Sequence, residues 1–240
     1  MERKYEFTGE TIQFDNRTLH RIRALRDIPK IGVEKWNLGG WIECENNLSQ
    51  KGDCWVKDDA KVSGLACVTG NALIAGRARV AEGAKISGEV EISDDAIVFG
   101  KADLSEHVVV CGHARIHGNA QIKGVDVRIY GRSEIYGEVL ISDNRYPYQK
   151  HGIKIHGDAM IFELAWIDGW DIEIFDKAKI SGCSHINNET KIFGNAKISG
   201  IPFIIRSKIY GNTQIIIGGT YDGVEINEDA KVYKDLRFRD

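Results

Sequence analysis

The chain is 240 residues long, 42% apolar and 28% charged, with a formal net charge of −3. That balance gives no global attraction to nucleic acid or acidic lipid, and no apolar run approaches the roughly 20 residues of a membrane span. Five cysteines (Cys44, Cys54, Cys67, Cys111 and Cys183), scattered without CxxC spacing, suit reduced thiols in the cytoplasm better than a disulfide framework or a zinc site.

The first residues, MERKYEFTGE, are charged and lack the apolar centre of a signal peptide. Alternating stretches then flank the turn signal Asp15-Asn16, so residues 1–50 read as a β-hairpin or meander. From residue 51 a different rule takes over. Stepping by six from Val56 meets Val62, Val68, Ile74, Val80, Ile86, Ile92, Val98, Leu104, Val110, Ile116 and Ile122, without one polar residue. Two positions before each stands a small or modest side chain, most often alanine; two positions after stands glycine, or else Asp58, Glu82, Asp94 or Glu106.

A period of six is not helical, and glycine once per hexad weakens a helix. It fits a short strand followed by a tight turn, since residues two apart on a strand share a face. The aliphatic residue then fills an interior, alanine sits where the backbone bends, and glycine supplies the freedom the corner needs. Three hexads make one triangular coil of about 18 residues, and stacked coils bury a continuous core. The expected fold is therefore all-β: a single-stranded parallel β-helix over 51–240, roughly ten coils and about 50 Å long, covered at its first coil by the 1–50 β cap. Interruptions predict insertions near 143–152, 200–206 and 216–224.

The segment LGGWIECENNLSQKGDCWV (residues 38–56), followed by G-N-A-x-[IV] hexads, closely resembles the YdcK-like hexapeptide-repeat proteins of enterobacteria, phages and prophages. The resemblance implies a left-handed β-helix, against the usual right-handed crossover, and no settled activity. Acyltransferases share such coils, but a fold does not give a function.

Two functional readings follow. In the first, the chain is a rigid non-catalytic scaffold or protein-binding solenoid, plausibly phage-derived, acting through flat faces in self-association as a dimer or trimer, or in binding and inhibiting a host protein. It needs no cofactor. Its surface comes from the residue after each aliphatic, which should point outward. One face thereby gains Tyr130, His156, Phe175, Phe193 and Tyr210, and the next gains Phe99, His117, Tyr136 and Phe162. Stacked aromatics stabilise neighbouring strands, and a contiguous exposed apolar strip marks an interaction surface. In the second reading the chain is an acyl- or acetyltransferase taking acetyl-coenzyme A as substrate. His151, in the loop DNRYPYQKHG, or His156 then acts as general base at a subunit boundary.

Other groupings are weaker. His107, His113 and His117 crowd together, but residues six apart fall on adjacent faces, so no metal is expected there. Asp168, Asp171, Glu173 and Asp176 read as a solvated strand face. Lys61, Arg79, Arg115, Lys179 and Lys197 line one face beside aromatics, as in single-stranded nucleic-acid binders, but Glu134 and Met160 break the row and the net charge is negative.

Overall fold

A computed structural model describes residues 3–143 and 151–233. Strands β1 (Tyr5–Phe14) and β2 (Arg17–Ala24) form an antiparallel hairpin, and β3 (Leu38–Ile42) pairs antiparallel with β2 on one side and parallel with Lys61–Val62 on the other. From there onward every pairing is parallel, between rungs of mostly two residues, in sheets that run the length of the molecule. The chain is a β-solenoid of about ten coils with three rungs per coil, and among the described residues it has no α-helix.

The periodic aliphatics are the core. Val56, Val62, Val68 and their successors are buried in register, each on the one a coil below, as in Val62–Val80–Val98–Ile116. The alanines before them are equally buried, because the chain bends there and only a methyl fits. From Ser133 onward several corners carry hydroxyls instead. Ser133, Ser184, Thr190 and Thr213 are buried, and each donates to the carbonyl three residues earlier, at 2.5–3.0 Å. The cost of burying a hydroxyl is thereby met locally.

At the opposite side of each corner the backbone turns left-handed. Glycines fill most of these positions, and a Cβ on Gly112 would press to 3.0 Å from the backbone of Gly131 on the next coil. Asp58, Glu82, Asp94 and Asp176 take the same conformation at φ of 57–58°. Each compensates by accepting the N–H of the glycine 18 residues on. Acidic residues at these corners therefore act as staples between coils.

The expected insertions divide. The segment 144–150 lies outside the described residues. At 200–206 and 216–224 there is no insertion: Ile204 and Tyr221 occupy ordinary rungs above Ile186. The hexad shortens at the next corner, so that Ile192 pairs with Ile209 and Ile198 with Ile215. The missing residue, rather than an added one, disturbed the period.

The 38–56 segment explains itself as a joint. Gly39 and Gly40 let β3 lie against the first coil; a Cβ on Gly40 would meet the Ala60 carbonyl at 2.6 Å. Buried Asn47 accepts N–H groups from Glu43 and Cys44 and donates to the carbonyls of Gly64 and Ala66. Gln50 Oε1 accepts the Lys4 N–H, and the Lys4 amine donates to the Cys54 carbonyl at 2.7 Å. Trp55 is fully buried, with Tyr5 edge-on at 6.4 Å. Burial holds the Tyr5 phenol and the Cys54 thiol above their ordinary values, and the Lys4 amine below its own.

Candidate interaction faces

Each rung presents two outward side chains, one before and one after the buried aliphatic, and coils stack in register. Side chains at equivalent positions are therefore forced together at the inter-strand spacing of about 4.8 Å. Rings placed there meet at stacking distance. On one face Tyr130, His156, Phe175, Phe193 and Tyr210 do so, with centroids 4.7–5.0 Å apart and planes within 7° of parallel. On a second face Phe99, His117, Tyr136 and Phe162 stack at 4.6–5.2 Å.

The third face carries a ladder that the sequence reading missed. Trp166 and His185 stack at 4.3 Å and 2°, and Phe203 closes edge-on at 4.8 Å. These residues precede their aliphatics (Ile167, Ile186, Ile204) rather than follow them. Following both outward positions, and recognising Ile204 as a rung, is the signal that finds it. The rings are half-buried against one another, while Trp166 remains 43% exposed.

Every ladder contains one histidine bound sideways to a carboxylate on an adjoining coil. His117 Nε2 lies 3.2 Å from Glu134, His156 Nε2 3.4 Å from Glu173, and His185 Nε2 2.5 Å from Asp168, which also accepts from Asn187 at 2.7 Å. Burial raises the Glu173 carboxyl, but hydrogen bonds from His156 and Lys191 outweigh it and hold the group below its ordinary range. Burial also lifts the Tyr130 and Tyr136 phenols, with Glu173 and Glu134 adding to it.

The remaining candidates are separated by the fold. His156 has both ring faces covered by Tyr130 and Phe175, whereas His151 is exposed at a corner where its carbonyl accepts the Asp171 N–H. His107 and His113 lie against Glu89 (3.0 Å) and Asp95 (3.8 Å), so they and His117 turn to three different carboxylates. No cluster of three or more metal-ligating side chains occurs among the described residues. Asp168 and Glu173 serve the ladders, and Asp176 staples Gly194. The basic row holds Lys61, Arg79, Arg115, Lys179 and Lys197 in register, interrupted by Ile97 as well as by Glu134 and Met160. No helix among the described residues is long and apolar enough to cross a membrane.

No family model matches the chain, and no curated protein matches it in sequence.

Proposed function

We propose that the chain is a rigid, non-catalytic binding solenoid that works through its flat faces, by pairing with further copies of itself or by engaging a partner protein. The single observation that carries this reading is the in-register aromatic ladder on each of three faces. Stacking along a ladder covers the ring faces but leaves the ring edges outward, as a straight apolar strip on a surface that does not deform. Aromatic residues are the side chains that anchor protein interfaces. Rigidity favours the same use, because a surface already ordered loses little entropy on binding.

Acyl transfer from acetyl-coenzyme A fits less well. A general base needs a free ring edge beside a substrate cleft, and His156 is held between two rings with its Nε2 on Glu173. The YdcK-like resemblance, its left-handed winding and its phage or prophage setting belong to the same reading. The 38–56 joint, in which Gly39, Gly40, Asn47 and Trp55 are buried together, supports the resemblance itself. Sedimentation across a wide concentration range, paired with capture from a host extract, tests the proposal. Association of the chain, or saturable capture of one protein, is the expected result. A concentration-independent monomer of 26.8 kDa that captures nothing contradicts it.

A further inference from the structure

The hairpin tip overhangs one face of the solenoid and leaves a cleft of about 290 Å³ beneath it. Phe14 forms the roof, with the Lys61 amine 5.2 Å and the Arg79 guanidinium 4.8 Å from its ring centre. Phe99 forms the far wall, with the Arg115 guanidinium 5.7 Å away. Phe99 is also the end rung of its ladder. One side of its ring is covered by His117 at 4.6 Å. On the other side the same row continues with Ala81 and Ser63, neither of which can stack, and both line the cleft. The ladder therefore stops at Phe99, and the two positions beyond it, Ala81 and Ser63, leave a place walled by the Phe99 and Phe14 rings.

Three cations, Lys61, Arg79 and Arg115, line this place beside two acids, Asp15 and Glu82, and Asp95 acts on Arg79 from beyond ion-pair distance. Among the described residues Lys61 and Arg79 have no carboxylate within ion-pair distance; the Lys61 amine donates to the Asp59 carbonyl, and Arg115 reaches Glu134 only at 3.8 Å. Of the acids at the rim, Glu82 is committed to the Gly100 N–H and Asp15 belongs to the hairpin turn. Asp59 faces Arg21 at 3.7 Å. Burial holds the Lys61 amine below its ordinary value; Asp59 opposes this, and Arg79 and Arg21 add to it. An anion between these groups would relieve their mutual repulsion.

We infer that this cleft binds a planar aromatic anion: its ring takes the next rung on Phe99 beneath Phe14, and its phosphate or carboxylate is held by Arg79 and Lys61 with Arg115 alongside. Stacking and cation recognition are two means by which proteins hold such molecules without metal or covalent chemistry. The site goes beyond the association reading: it shares Phe99 with the second ladder but lies at that ladder's cap end, beneath the hairpin.

Calorimetric titration of the full chain with adenosine monophosphate, naphthoate, adenosine and inorganic phosphate tests it. A ring-bearing anion should bind at least about tenfold more tightly than adenosine or phosphate alone. Preference for the monophosphate or for naphthoate identifies the anionic group. Arg79→Gln should weaken that binding about tenfold or more. Ala81→Phe, which stacks the chain's own ring on Phe99, should abolish it while thermal unfolding stays cooperative. The inference is overturned if no probe saturates, if adenosine or phosphate binds as well as the joined molecule, or if Arg79→Gln binds like the wild type.

Discussion

Asp94 stands at a corner where most coils have glycine, and its φ of 58° is one that side chains with a Cβ adopt at a cost. What keeps it there is the carboxylate, which accepts the Gly112 N–H at 2.9 Å. Asp94→Ala keeps the strained backbone and loses the staple, so it should lower stability by about 1–2 kcal/mol. Asp94→Gly relieves the backbone and should cost less; equal losses in a urea titration would contradict the assignment. Glu173 makes a second test. Its folded carboxyl titrates below the ordinary glutamate range of about 4.3; burial acts against this, and His156 and Lys191 outweigh it. The pairing therefore stabilises the fold above that pH and is lost as pH falls through the lower folded value. Glu173→Gln should be less stable than wild type near neutrality, and the two denaturation midpoints should converge in acid. A gap that stays constant with pH would refute the pairing.

Among the elements, the ladders and the cap joint differ in what holds them. A ladder ring gains from two neighbours, so Phe175→Ala, which breaks contact with both His156 and Phe193, should cost about 1–2 kcal/mol. Tyr130→Ala removes an end ring with one stacking partner and should cost less. Chemical denaturation of the two variants checks the order. The joint is a polar network under cover. Asn47→Ala leaves two carbonyls and the Cys44 N–H short of a partner, while the Glu43 N–H keeps the Val62 carbonyl, and should cost about 2–3 kcal/mol. Amide exchange should then quicken first over residues 41–66. Faster exchange spread evenly along the solenoid would show that Asn47 is not the local tie.

The fold was legible in the sequence because one physical constraint recurs at every coil: an aliphatic that fills, a small residue that bends and a residue that turns. The aliphatic positions from Val56 through Ile122 obey it without exception. Legibility failed where the period shortened rather than lengthened. Pro202–Ile205 and Gly219–Asp222 looked irregular, yet both are rungs, and missing them hid Phe203 and the third ladder. Two ladders could be assembled from spacing alone, since register follows from the period. The Phe14 cleft could not, because it depends on where a hairpin tip folds back over coils that begin more than 40 residues later.

At the scale of the whole molecule, each coil touches chiefly its neighbours, so the stack behaves as a one-dimensional array whose ends need covering. Burial of Tyr5, Ile22, Ile28 and Trp55 together supplies that cover at the first coil. Three straight faces remain, each with a ring strip, and their use as contact surfaces is the central claim. Hydroxyl-radical footprinting of the purified chain, at dilute and at high concentration and with any captured protein, tests it most directly. The account predicts that Tyr130, Phe175, Phe193 and Tyr210, or the rings of another ladder, lose reactivity together on association while corner residues such as Leu65 keep theirs. Ladder rings that stay equally reactive in the associated and the dilute states would contradict it.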